Sequence, residues 1–203
     1  MTKASPTIGI LALQGDFKEH ARKFQQLGCK AVEVRRTYQL ESIDALVLPG
    51  GESTAIAILE SVETEFDQKE GIFDAIKRKI GEGLPVWGTC MGSILLAKEI
   101  EGSAQGRLAV MDITIRRNAY GAQRWSAERE IAIPVIGDEP FPAVFIRAPI
   151  ITATGPNVKI LARGEDGIYM ARERNILATV FHPEVVADRR VHEYFLGLLT
   201  TLT

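Results

Sequence analysis

An open, doubly wound α/β sheet, mostly parallel, with helices on both faces and a small antiparallel extension, is the fold class this sequence predicts. Three observations carry the prediction. The first half of the chain alternates short, almost wholly apolar runs with longer helical patterns, as strands covered on both faces require. Several of those runs end in glycine-rich turns that open a helix. From about Leu108 the rhythm shifts to shorter strand-like stretches with few helical patterns between them. The chain's 203 residues suit one domain spanning 1–203, and neither a repeat nor a Pro/Ser-rich linker divides it.

In order, Thr7-Ile8-Gly9-Ile10-Leu11-Ala12-Leu13 reads as a central parallel strand, and Gln14-Gly15-Asp16 as a loop opening a helix through about Leu27. Residues 31–34 give the next strand and 45–48 a third, ending at Pro49-Gly50-Gly51. Helices are expected at about 53–59 and 72–80, and the polar, acid-rich stretch 60–69 between them as a solvated loop or helix end. The run Leu84-Pro85-Val86 is the strand before Trp87-Gly88-Thr89-Cys90-Met91-Gly92, with a helix over 93–98. Beyond it the strand-like stretches are 111–116, 131–135, 144–146, 158–161 and 176–180, and the last helix covers about 188–202. Right-handed crossovers follow from the βαβ alternation, and ligands in such sheets bind at the carboxyl ends of the strands.

Composition excludes several function classes. A net charge of −2, with bases and acids interleaved, provides no field for gathering nucleic acid or an anionic membrane surface. Two cysteines make no disulfide framework, and no apolar signal region precedes the first strand, so a reducing cytoplasm is the expected setting. No apolar run approaches the roughly 20 residues needed to span a bilayer.

Cys90 lies in a G-x-C-x-G elbow between a strand and a helix. Flanking glycines let the backbone take a strained bend that lifts a nucleophile clear of the sheet, and the free N–H groups of a helix start favour an anion there. Cys90 is therefore expected to be reactive and exposed, whereas Cys29 reads as a small buried apolar residue. A thiolate attacking a carbonyl needs a base, and three histidines are available. His20 and His192 fall in helical patterns and read as surface or half-buried. His182 follows the apolar strand Ile176-Leu177-Ala178-Thr179-Val180-Phe181 and precedes Pro183-Glu184. Residues two apart in an extended chain point the same way, which lets Glu184 fix the imidazole. Donors for a tetrahedral oxyanion are expected from Gly50 and Gly51 and from the N–H of Met91. A phosphate-binding turn is the rival reading of Gly50-Gly51, ranked lower because no P-loop lysine follows.

Taken together, Leu11-Ala12-Leu13-Gln14-Gly15, Leu48-Pro49-Gly50-Gly51-Glu52-Ser53-Thr54, Gly88-Thr89-Cys90-Met91-Gly92, Arg117-Asn118-Ala119-Tyr120-Gly121, Phe145-Ile146-Arg147-Ala148-Pro149 and Phe181-His182-Pro183-Glu184 resemble the glutaminase subunits of pyridoxal 5′-phosphate synthases. The elbow and His-Pro-Glu are common to all class I (triad) glutamine amidotransferases; the other segments point to this subfamily. The resemblance implies the flavodoxin-like class I glutaminase fold and hydrolysis of L-glutamine to glutamate and ammonia. It implies a (β/α)8 synthase partner in a large heteromeric complex, reached by ammonia through a protein tunnel, and a glutaminase with no metal or organic cofactor. It makes Cys90 the nucleophile, His182 the acid and base and Glu184 the orienting carboxylate. Gly51, Glu52, Ser53, Arg117, Ile146 and Arg147 would line the glutamine site, and Gln14 would lie near the partner contact. The family pattern usually has alanine at Met91, arginine at Ala122 and phenylalanine at Ala127. Two other readings stand beside this one: a glutaminase serving another synthase, such as that of histidine biosynthesis, and a regulatory subunit that has lost turnover.

Overall fold

A computed structural model describes residues 5–51, 70–117 and 126–200. The expected helix over 53–59, the stretch 60–69 and most of the Arg117–Gly121 motif lie outside the described residues. The first strands are β1 (Thr7–Leu11), β2 (Lys30–Val34), β3 (Ala45–Leu48) and β4 (Val86–Thr89), with helices α1 (Phe17–Gln26) and α2 (Ile72–Gly81) between them. A short helix α3 (Met91–Leu96) follows β4 and leads directly into β5 (Ala97–Ile100). Then come β6 (Met111–Arg116), β7 (Ser126–Ile131), β8 (Phe141–Ile146), β9 (Ile150–Thr154), β10 (Lys159–Gly164), β11 (Gly167–Glu173), β12 (Ile176–Thr179) and a closing helix α4 (Arg190–Thr200).

The main sheet runs β2-β1-β3-β4-β12-β11-β9-β6-β5, with β10 paired to β11, and β7-β8 form a separate hairpin. From β2 to β12 every neighbour is parallel. Leu46, Val47 and Leu48 of β3 and all four residues of β12 are buried, which explains why these strands read as unbroken apolar runs. Antiparallel pairing begins at β11 and continues through β9 to β6, and β5 returns to parallel pairing with β6. The fold is the expected one, with the antiparallel part larger than a small extension.

Alternation along β4 places helices on both faces. Trp87 and Thr89 point to the side of α1 and α4, where Trp87 meets His20, His192 and Phe195. Gly88 points to the other side, where an added Cβ would lie 2.5 Å from the backbone of Gly92 in α3. At the start of α4, the Asp188 carboxylate accepts from the Arg190 N–H (2.9 Å), while the Arg190 guanidinium donates to the Glu139 and Pro140 carbonyls. One short loop thus caps the helix and ties it to the approach to β8.

Three local expectations differ from the structure. The helix after Cys90 begins at Met91 and ends at Leu96, because Ala97 turns extended to pair with Met111. The strand expected over 131–135 is instead the end of β7 followed by a 3-10 turn over Pro134–Ile136, where proline has no N–H for a ladder. His20 and His192 are not surface residues: both are wholly buried.

Candidate active site

Four parallel strands present their carboxyl ends at one edge of the sheet, and each exit carries a piece of the site. β1 leads to Gln14, Gly15 and Asp16; β3 to Gly50 and Gly51; β4 to Cys90; β12 to His182 and Glu184. Register fixes the last two relative to each other. Thr179 of β12 lies opposite Thr89 of β4, and the Cys90 N–H donates to the Thr179 carbonyl at 2.8 Å.

Cys90 takes φ 47 and ψ −104, a conformation that L residues adopt only under constraint. The constraint is packing. A side chain at position 92 would sit 1.9 Å from the Leu48 carbonyl oxygen, and one at position 88 would strike Gly92, so only glycines allow α3 to start this close to β3 and β4. Cys90 is only 6% exposed, contrary to the expectation of an exposed thiol, because the elbow raises it into a walled cavity rather than to open solvent. Cys29 is buried as expected, and burial raises its thiol pKa.

His182 and Glu184 lie side by side beyond β12, with His182 Nδ1 2.6 Å from Glu184 Oε1. That contact leaves Nε2 for Cys90. Burial alone would lower the His182 pKa, but hydrogen bonds with Cys90 and Glu184 outweigh it and raise the pKa to about 11. Burial would push Glu184 up, and the neighbouring His20 and His182 reverse this and hold it below its ordinary value. Gly50 packs directly on the imidazole: a Cβ there would lie 2.4 Å from His182 Cε1.

A cavity of about 390 Å³ opens over these groups. It brings together Cys90, His182, Gly51, Met91, Arg117, Ile146 and Arg147 from the sequence reading, and adds Asp16, Ile94 and Pro149, which that reading missed. Glu184 lies beneath His182, out of the cavity. Arg147 takes φ 45 immediately after β8, a bend at the strand exit that sets it on the cavity wall. Arg117 donates to Gln105 Oε1 at 2.7 Å, and the Cys90 thiol approaches the Ile146 carbonyl at 3.9 Å. Glu52 and Ser53, also expected here, lie outside the described residues.

The Gly50–Gly51 turn is held by the β1 loop. The Gly50 carbonyl accepts from the Asp16 N–H at 3.3 Å, and a side chain at Gly15 would collide with the Gly50 oxygen. Gln14 presses its amide on Gly51, where a Cβ would come within 2.7 Å of Nε2. Asp16 Oδ2 also reaches 3.6 Å from His182 Nδ1. Asp16, His182 and Glu184 place one ligand atom each within 4.8 Å of the others, as a metal would require. The short His182–Glu184 hydrogen bond commits two of those atoms to each other.

The chain is similar to known proteins in sequence and in fold. The model of the SNO glutamine amidotransferase family matches residues 10–200. The chain belongs to that family. A pyridoxal 5′-phosphate synthase subunit PdxT of Desulforudis audaxviator is 52% identical over 192 residues, covering 95% of this chain and 98% of the relative. A subunit of the same name from Herpetosiphon aurantiacus is 50% identical over 196 residues, covering 95% and 100%. The crystal structure of a glutamine amidotransferase superposes with a TM-score of 0.86 at 42% identity, covering 95% of this chain and 98% of that one. The structure of PurLQS from Thermotoga maritima superposes over 96% of this chain and 99% of that one, with a TM-score of 0.68 at 14% identity, which speaks for the fold alone.

Proposed function

We propose that this chain is the glutaminase subunit of a pyridoxal 5′-phosphate synthase, hydrolysing L-glutamine through Cys90, His182 and Glu184 and supplying ammonia to a (β/α)8 synthase partner. The observation that carries the reading is a cysteine on a strained elbow, hydrogen-bonded to the histidine of a buried His–Glu pair at a cavity that two arginines line. Family membership and the PdxT relatives support the same conclusion. The cytoplasm is the proposed setting, and among the described residues no helix is long and apolar enough to cross a membrane.

The chemistry follows from the charges. Cys90 adds as thiolate to the side-chain carbonyl of glutamine, and the tetrahedral oxyanion is received by N–H groups of the Gly50-Gly51 turn and of Met91. Collapse expels the amide nitrogen, which takes the proton from the His182 imidazolium and leaves as ammonia. The neutral imidazole then draws a proton from water as the hydroxide adds to the thioester. Collapse of this second adduct releases glutamate and returns Cys90 and the protonated His182. Glu184 keeps the proton-bearing Nδ1 turned inward throughout. Arg117 and Arg147 suit the substrate's α-carboxylate, and Asp16 or Glu52 its α-ammonium.

Coupling to the partner runs through the β1 loop. The Gly50 carbonyl rests on Asp16, and Gln14 rests on Gly51, so a protein that shifts this loop resets the peptide that receives the oxyanion. Glutamate release should be slow in the isolated chain and rise on titration with a pyridoxal phosphate synthase subunit; Cys90→Ala should abolish it. A glutamine-mimicking electrophile should label Cys90. A label found on Cys29, or full activity in Cys90→Ala, overturns the triad. Full activity that the synthase does not change, or that only a synthase of histidine biosynthesis raises, overturns the partner assignment.

A further inference from the structure

The site contains two buried histidines that the reaction above does not use. His20 of α1 and His192 of α4 are both wholly buried, yet their rings are not apolar filler. His20 Nε2 stands 3.4 Å from Glu184 Oε2, and its Nδ1 lies 3.2 Å from His192 Nε2. Glu184 Oε1 is engaged by His182, whereas Oε2 is buried and has no hydrogen-bond partner among the described residues. His20 also lies 3.2 Å from the hydroxyl of Thr89, the residue before the nucleophile.

We infer that His20 is a positioning residue of the glutaminase reaction: its Nε2–H holds the second oxygen of Glu184, and His192 fixes the tautomer that makes this possible. The inference rests on the triad reading above and extends it by two residues.

Of the two neutral tautomers of His20, only the one protonated at Nε2 gives Glu184 Oε2 a donor. If His192 Nε2–H donates to His20 Nδ1, then His20 is neutral with its proton on Nε2, facing both Glu184 and Thr89. The reverse arrangement would aim a lone pair of His20 at a buried carboxylate, the costlier outcome in a low-dielectric site. His20 is neutral for a physical reason as well: burial lowers its pKa, against a smaller opposing pull from Glu184. The rings are locked in place. Trp87 meets His20 edge-on at 5.4 Å and His192 at 4.9 Å, and Phe24 meets His192 at 5.1 Å. A carboxylate held from one oxygen only is free to swing; held from both, it keeps the His182 ring aimed at Cys90 and stays ionised.

The groups that face this pair are few. Glu184 meets His182 and His20, and Asp16 approaches the same Nδ1 of His182 at 3.6 Å. From α1, Glu19 and Lys23 act at longer range on His20 and His192 respectively, and α4 contributes His192.

The test uses the full chain with its synthase partner, measuring glutamate release from glutamine between about pH 5 and pH 9. His20→Leu should lower kcat about 10- to 100-fold, the scale on which outer partners of an active-site group act, with KM within about twofold. Its acidic limb should move to higher pH, because Glu184 without its second donor takes a proton more readily. His20→Gln, whose Nε2 amide can stand where the imidazole Nε2 was, should recover much of the rate and return the limb toward wild type. Nitrogen NMR of the wild-type rings should show His20 neutral with its proton on Nε2, a measurement that does not depend on how the variants fold. Wild-type kcat and acidic limb in His20→Leu overturn the inference. So do equal losses in both variants with an unmoved limb, the mark of packing alone, and an Nδ1–H tautomer in the wild-type ring. A wild type that releases no glutamate defeats the glutaminase reading itself, which separates the two failures.

Discussion

Cys90 holds a backbone conformation whose cost is on the order of 1–3 kcal/mol, sustained by two glycines that let α3 start against β3. The residues around it divide the labour unequally. In the proposed mechanism His182 moves protons, whereas Glu184 only orients and stabilises its ring, so Glu184→Gln should impair turnover less completely than His182→Ala. Loss of a positioned acid–base removes about 10²- to 10⁴-fold in rate. Steady-state rates of the two variants decide the point, and wild-type rates in both would remove His-Pro-Glu from the mechanism. Met91 is buried yet reaches the cavity wall. If glutamine enters only when its side chain moves aside, Met91→Ala should lower KM and leave kcat nearly unchanged, as read from substrate saturation curves. Cys90, His182 and Glu184 were legible in the sequence because a glycine-flanked cysteine and a two-residue histidine–carboxylate spacing each carry their chemistry locally. His20 and His192 were not. Their neighbours in the chain say only that they sit on helices, and the contact that gives them meaning spans 172 residues.

At the level of the element, the parallel half of the sheet was readable from β1, β3 and β12, whose continuous burial leaves unbroken apolar runs. β5 was not, since Ala97-Lys98-Glu99-Ile100 prefers helix by composition and becomes a strand only because β6 offers a partner. β9 and β11 likewise lie outside the strands expected from the sequence. The turn Gly164-Glu165-Asp166-Gly167 between β10 and β11 is a hairpin signal in retrospect, and Arg163 does pair with Ile168 across it. The elbow is the element most sensitive to a single atom. Gly92→Ala places a methyl 1.9 Å from the Leu48 carbonyl oxygen, and the backbone must move to admit it. The expected cost is about 1–3 kcal/mol in urea unfolding, together with loss of glutaminase activity, since the shift displaces Cys90. A stable, fully active Gly92→Ala would show that α3 has slack the packing does not suggest.

For the whole molecule, His20 and His192 make stability fall as pH drops below about 6.5, outweighing the opposite contribution that His182, with its raised pKa, makes just above that pH. Burial lowers the pKa of both His20 and His192 below the ordinary 6.5. The unfolded chain therefore takes up protons near pH 6.5 that the native chain refuses. The sign follows: this contribution is intact above about 6.5 and falls as pH drops toward the native values, by up to about 1.4 kcal/mol per pH unit for each ring. Urea midpoints measured from about pH 7 to about pH 5 should decline accordingly. His192→Phe should flatten the slope by one proton, and a flat wild-type profile would show that the rings titrate normally. The sheet order has a consequence for biosynthesis. β12 is the last strand to be made, yet it occupies the centre of the sheet between β4 and β11. A ribosome that has delivered Cys90 has about ninety residues still to add before His182 emerges. Until β12 takes its place there, His182 and Glu184 are absent from the site. The nascent chain is thus catalytically silent by construction, and becomes an enzyme only when the middle of its sheet is filled.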